Sequence, residues 1–172
     1  METELERTFL AAALPSELGG INPQTVTDVY VPDSANHPIL RIRQKGENYE
    51  ITKKAPSKDD ASEQIEQTIP LTKDEFSALV KTSSKIVSKQ RYKVSIDGHP
   101  AEVDVFKDKL KGLILIDFEF DSIEAKAAFV SPACCLADVT REEFIAGGML
   151  AGKSYKDIEK DLAKFKYEKI LD

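Results

Sequence analysis

Glu4 and Glu6 stand two residues apart in an extended run near the start of the chain. On a β-strand that spacing turns both carboxylates to one face. The same two-residue spacing of charge returns strand after strand. Arg41 and Arg43 align, as do Glu50, Thr52 and Lys54. Lys89, Arg91 and Lys93 form a basic set, and Glu102 with Asp104 and Asp117 with Glu119 form two acidic pairs. Carboxylates hold hard divalent cations, and guanidinium and ammonium groups hold phosphate oxygens. A metal-bound polyphosphate satisfies both kinds of charge together. The plainer account is an antiparallel sheet with one solvated side, the commonest source of such alternation. Pairing of like charges argues against it, because a solvated face has no need of it.

The elements that must position these residues are legible from period-2 patterning. Strands are expected near Glu2–Leu10, Thr25–Val31, Pro38–Gln44, Asn48–Lys54, Glu63–Pro70, Lys85–Ser95, Ala101–Lys107 and Leu113–Phe120. Asp97-Gly98 is a hairpin signal. Thr72-Lys73-Asp74-Glu75 reads as a capping box that opens a short helix. The polar stretch Lys54–Ala61 reads as a loop. After Phe120 the pattern becomes helical, with expected helices over Asp121–Phe129, from a capping box at Thr140 through Phe144, and over Ser154–Ile170. Eight strands is the number at which a sheet closes around a small ligand. If the charged faces point inward, acids of the first, seventh and eighth strands meet bases of the third, fourth and sixth.

In this order the residues resemble the CYTH family, the triphosphate tunnel metalloenzymes. Glu4-Leu5-Glu6-Arg7-Thr8-Phe9-Leu10 resembles its opening E-x-E-x-K motif, and Leu40-Arg41-Ile42-Arg43 its arginine strand. Lys54 matches its substrate lysine, Lys89-Gln90-Arg91-Tyr92 its K-x-R-Y segment, and Glu102–Phe106 and Asp117–Phe120 its late acidic strands. The resemblance covers roughly residues 1–130. It implies an α+β fold: a closed eight-stranded antiparallel β-barrel, or tunnel, with helices packed outside. Strands would fill about 1–120 and a helical C-terminal segment about 121–172, as one domain. It further implies Mg²⁺ or Mn²⁺ on Glu4, Glu6 and Glu119 with Asp104 and Asp117 as helpers. Arg41, Arg43, Lys54, Lys89 and Arg91 would clamp phosphates, and Glu4, Glu6 and Tyr30 would serve catalysis. The expected activity is hydrolysis of inorganic triphosphate or a small organic triphosphate. The alternatives are a polyphosphate- or nucleotide-binding module without turnover and, more distantly, a class IV-type adenylate cyclase.

Three departures bear on that expectation. Thr8 stands at the motif lysine, and a hydroxyl is a poor base at neutral pH. Gln64 replaces a common glutamate, leaving Glu66. Gly147-Gly148-Met149 stands in place of a late basic segment. Tyr30 does match a tyrosine that partners the motif lysine in hydrolytic relatives. Gly147–Ser154 also fits the P-loop pattern G-x-x-x-x-G-K-[ST], but no buried strand precedes it and no βαβ unit surrounds it. It reads instead as a joint between helices, with Ser154 capping the second and Lys153 within reach of the tunnel mouth. His37 and His99 sit beside prolines and read as turn residues.

Composition limits the partners. Net charge is −6, against a broad nucleic-acid footprint. No run approaches the length of a membrane span. The adjacent Cys134 and Cys135 lack metal-site spacing and fit a reduced, cytoplasmic protein. A triphosphate-containing small molecule or polyphosphate is the expected partner, with a homodimer open.

Overall fold

The computed structural model describes residues 2–56 and 63–171. Nine antiparallel strands form one sheet among the described residues: β1 (Glu2–Ala11), β2 (Gln24–Val31), β3 (Leu40–Lys45), β4 (Asn48–Pro56), β5 (Glu63–Leu71), β6 (Ile86–Ile96), β7 (His99–Phe106), β8 (Ile114–Phe120) and β9 (Cys135–Asp138). The hydrogen-bonded order is β5-β4-β3-β2-β6-β7-β8-β1-β9, with an additional β5–β1 pairing. The fold is α+β and rich in antiparallel sheet. The expected strand count of eight is corrected to nine. The order runs open from β5 to β9, and the β5–β1 contact spans Glu2↔Glu66 to Leu5↔Glu63.

The ninth strand is only four residues long, too short for alternation to announce it. It lies on the edge of β1 opposite β8, where Phe9 pairs with Asp138 and Leu10 with Ala137. Arg7 fastens it: Nε and Nη2 donate to Asp138 Oδ2 at 3.1 and 2.7 Å. The guanidinium also lies 5.1 Å from the Phe9 ring centroid and 5.5 Å from that of Phe129.

The outward faces of β7 and β8 are almost wholly apolar, and that of β1 is apolar around Arg7. Phe9, Val103, Ile114, Ile116 and Phe118 form a core roofed by Phe129. The opposite face is charged for only part of its length. Along the inward registers Thr8 gives way to Leu10, Asp117 to Leu115, Asp104 to Phe106, and Lys89 to Val87. These apolar ends, with Tyr30, form a second core against Leu150, Tyr155, Ile158 and Leu162 of the C-terminal segment. The helical segment thus fills one end of the sheet's inner side and leaves the charged part as a cavity.

The Asp97-Gly98 turn joins β6 and β7 with φ of 50° and 80°, the positive values a two-residue hairpin of this kind requires. Helix α1 (Lys73–Leu79) opens on the expected capping box at Thr72, and α2 (Ile123–Ala128) is capped by Ser122. The helix expected from Thr140 does not form. Residues Glu143–Ile145 make a single 3-10 turn, and the Thr140 hydroxyl donates to Asp138 while accepting from the Thr8 N–H at 3.0 Å. Its hydroxyl serves the sheet edge and is unavailable as a cap.

Helix α3 (Gly147–Leu150) begins at the glycines. Helix α4 (Tyr155–Ala163) opens on a capping box of Ser154 with Asp157 and stops well short of Ile170. Beyond it Lys166 has φ of 56°, and the Tyr167 hydroxyl donates to Gly112 O and accepts from Ile114 N–H, both at 2.9 Å. That buried anchor outweighs continued helix. Of the loop expected at Lys54–Ala61, Lys54–Pro56 belongs to β4, and residues 57–62 lie outside the described residues.

Candidate active site

A cavity of about 840 Å³ is lined by all the residues singled out from the sequence: Glu4, Glu6, Tyr30, Arg41, Arg43, Lys54, Lys89, Arg91, Asp104, Asp117 and Glu119. Thr8 lines it as well. Strand register explains the convergence, since Arg41 and Arg43 face Tyr30 and Asp28 directly across β2–β3, and Arg91 faces Asp104 across β6–β7.

On the basic side, Arg43 is clamped by Asp28, with Nε to Oδ1 at 2.6 Å and Nη2 to Oδ2 at 2.8 Å. Burial alone would raise the Asp28 carboxyl, but the Arg43 guanidinium overrides it and lowers the pKa to about 2. Arg91 makes the same bidentate contact with Asp104, at 2.7 and 2.8 Å, and also pairs with Glu102. Lys89 pairs with Asp104 Oδ2, the oxygen that also accepts from Arg91 Nη2. Arg41 is different. Its Nη2 reaches Glu66 at a long 3.5 Å, and its buried Nε has no hydrogen-bond partner. A buried unmatched donor costs about 1–3 kcal/mol, so Arg41 is the clearest open donor for an incoming anion.

On the acidic side, β1, β7 and β8 set carboxylates against one another. Glu6 stands opposite Glu119, and Glu102 opposite Asp117. Like charges in direct register destabilise a sheet unless a cation intervenes. Burial, then Glu6 and Asp104, push Asp117 up to about 7. Burial, then Glu102 and Glu4, raise Glu119. Arg91 and Lys93 pair with Glu102 there, and Lys54 Nζ donates to Glu4 Oε2 at 2.7 Å and Glu6 Oε2 at 2.9 Å. Against the pull of burial, Glu6 and Glu4 hold its pKa above the ordinary value.

This donor set fits a hard divalent cation. The ligands are oxygens, they are in excess of positive charge, and Glu4 and Glu6 already converge on one cation. As folded they are not gathered: among the described residues no three acidic, thiol or imidazole groups close on a single point. Lys54 stands between Glu4 and Glu6, and Asp104 is committed to Lys89 and Arg91. Asp104, expected as a helper ligand, is therefore spoken for by the basic wall.

The hydroxyl of Thr8 donates to Asp117 Oδ1 at 2.6 Å. Tyr30 is buried, and its hydroxyl lies where a Cβ on Gly147 would stand 2.0 Å away. It stands opposite Arg41 in register across β2–β3. Asp28 escaped the sequence reading, although it stands two residues before Tyr30 and so shares its inward face. His37 reaches the C-terminal segment, with Nδ1 3.0 Å from Glu143 Oε1, and His99 packs edge-on to Phe129. Lys153, expected near the mouth, is outside the cavity lining. Cys134 and Cys135 are unpaired thiols, and burial pushes Cys135 up to about 12, which leaves it un-nucleophilic at neutral pH.

The profile of the CYTH domain matches residues 2–130, three-quarters of the chain. The chain belongs to the CYTH family. A relative from Nitrosomonas europaea, named an inorganic triphosphatase, is 34% identical over 143 residues, which cover 82% of this chain and 91% of the relative. A crystal structure of an inorganic triphosphatase superposes with a TM-score of 0.65 at 30% identity, covering 88% of this chain and 95% of that one. A Hippeastrum protein described as a putative adenylyl cyclase with a dominant triphosphatase activity shares the fold, with a TM-score of 0.51 at 12% identity, covering 98% and 100%. The CYTH match spans β1–β8 and α2, leaving β9 and the C-terminal helices outside it.

Proposed function

We propose that this CYTH chain is a divalent-metal-dependent hydrolase of inorganic triphosphate or a small organic triphosphate, held in a charged tunnel. The observation that carries the proposal is the meeting, in one cavity, of Arg41, Arg43, Lys54, Lys89 and Arg91 with Glu4, Glu6, Asp117 and Glu119. The β5–β1 pairing supports reading the eight long strands as the tunnel wall. The triphosphatase relative adds the substrate class. Arg41 offers its unmatched Nε, and Arg43 an immobilised fork, to phosphate oxygens. Lys89 and Arg91 are held in place by Asp104 and extend the same wall. Glu4, Glu6 and Glu119, with Asp117 beside them, would hold Mg²⁺ or Mn²⁺, which supplies charge neutralisation at the phosphates when bound. Positioning and neutralisation are most of what phosphoryl transfer requires. No helix among the described residues is long and apolar enough to cross a membrane. A reduced cytoplasmic setting suits the unpaired cysteines.

A second reading, binding without turnover, is favoured by Thr8. Its hydroxyl is donated to Asp117, so position 8 supplies no base. General-base assistance is worth ~10²–10⁴-fold. One experiment separates the two: phosphate release and calorimetric binding with triphosphate, thiamine triphosphate and ATP, with Mg²⁺ and with Mn²⁺, for the natural chain and Thr8→Lys. Hydrolysis predicts phosphate release by the natural chain, raised by Thr8→Lys at similar affinity. Tight binding with no release supports the second reading. Cyclic AMP from ATP supports a cyclase. Absence of triphosphate binding with either metal overturns both main readings.

A further inference from the structure

Arg43 and Asp28 form the most enclosed ion pair of the cavity, at 6% and 2% exposure. They face each other in register across β2–β3. The contact uses one defined edge of the guanidinium: Nε and Nη2 are both given to the carboxylate. Among the described residues Arg43 makes no other hydrogen bond. Its Nη1 group and the second Nη2 proton are left over, on a side chain that lines the cavity.

Resting on the reading of the cavity as a phosphate site, the geometry points to Asp28 as a positioning residue that fixes which edge of Arg43 meets the phosphate. A guanidinium binds an oxyanion by its side edge or its end edge, and the two place the anion differently. By taking the side edge, Asp28 leaves the end edge as the docking fork. Arg41, one inward position along β3, is the converse case. Its partner across β2–β3 is Tyr30, and its side-edge Nε is unmatched. The two arginines therefore present different edges to one ligand, so adjacent phosphoryl groups are held in a set register. A bare negative charge in a phosphate cavity would weaken anion binding. Asp28 offsets that by its bidentate geometry, which an uncharged isostere cannot reproduce.

The test is triphosphate binding by calorimetry with Mn²⁺, together with turnover and thermal stability, for the natural chain, Asp28→Asn, Arg43→Lys and the double variant. Misplacement of a clamp costs up to about 100-fold. Asp28→Asn is expected to weaken binding or turnover by roughly 10–100-fold. Arg43→Lys, which keeps the charge and loses the fork, is expected to do the same. The double variant is expected to lose little beyond either single change, because both act through one orientation. A merely structural pair would lower stability in each variant while the folded fraction bound triphosphate as before, and that outcome overturns the inference. Tighter binding by Asp28→Asn also overturns it, since bare repulsion would then be the larger effect. If Asp28→Asn does not fold, Arg43→Lys decides: affinity equal to the natural chain overturns the role. A natural chain that binds no triphosphate removes the phosphate reading and this inference with it. Normal natural binding with an unaffected Asp28→Asn removes the inference alone.

Discussion

Lys54 touches two carboxylates that would hold metal and belongs to a wall that would hold phosphate. An ammonium 2.7 and 2.9 Å from Glu4 and Glu6 stands where a cation shared by those two residues would have to stand. The two cations would exclude each other, so Lys54 would have to leave the carboxylates for a metal to bind there. A triphosphate gives it somewhere to go. Lys54→Met should therefore bind Mn²⁺ more tightly than the natural chain when triphosphate is absent, on the order of 10-fold given the strength of charged hydrogen bonds. The same variant should bind triphosphate more weakly. Titration of Mn²⁺ by electron paramagnetic resonance, with no ligand and no turnover, reads the first effect directly. Unchanged Mn²⁺ affinity would show that Lys54 does not compete. Side-chain spacing in the sequence grouped Lys54 with the other charges that line the cavity. It did not reveal which charges pair, because pairing depends on neighbouring strands and their register. Asp28 was overlooked for the same reason: a lone acid among Thr27, Val29 and Tyr30 gains meaning only opposite Arg43.

At the level of elements, strands were legible and the C-terminal joints were not. Alternation over six or more residues leaves a strong mark, and β1–β8 lie within a few residues of their expected bounds. The Thr140 signal failed because a capping box is local chemistry, and Asp138 and Thr8 claim the same hydroxyl through tertiary contacts. Gly147-Gly148 carried a phosphate-loop pattern, yet both glycines are explained by close packing. A Cβ on Gly148 would stand 1.9 Å from the Pro38 carbonyl oxygen. That backbone joins β2 to β3, just before Arg41, so the strand carrying the arginines and the segment closing the cavity meet with no room for a methyl group. Gly148→Ala should force them apart. Overpacking of this kind costs about 1–3 kcal/mol, and for a chain of this size each kcal/mol lowers Tm by roughly 2–4 °C. Thermal melts check the loss. A variant as stable as the natural chain, with unchanged triphosphate affinity, would mean that the segment does not bear on the arginine strand.

Over the whole molecule, the paired charges give stability a pH profile that composition alone conceals. The sequence gives a net charge of −6 and two acidic strands, but not which carboxylates lack a counter-charge. Two opposing groups matter. Asp28 is lowered to about 2 by Arg43 despite burial, and Asp104 is lowered by Lys89 and Arg91 despite burial. An unfolded aspartate titrates near ~3.9. These two therefore contribute stability that is fully present above that value and is lost as pH falls through their folded values. Asp117 has the opposite sign. Its folded pKa is raised to about 7, so between roughly pH 4 and pH 7 the folded chain keeps a proton that the unfolded chain has released. Stability from this group is greatest below the unfolded value and declines as pH rises through 7. In chelator, Tm should peak near pH 4–5, fall on the acid side, and fall again toward pH 7. Asp117→Asn should flatten the second slope and leave the first. Saturating Mn²⁺ should flatten it too, because a divalent cation beside Asp117 and Glu119 favours their ionised forms. Melts from pH 3 to pH 8, with chelator and with Mn²⁺, measure both slopes. Stability that rises from pH 4 to 7 in chelator, or a slope unchanged by Asp117→Asn, would place the uncompensated charge elsewhere. It would also remove the electrostatic reason for expecting a metal at this corner.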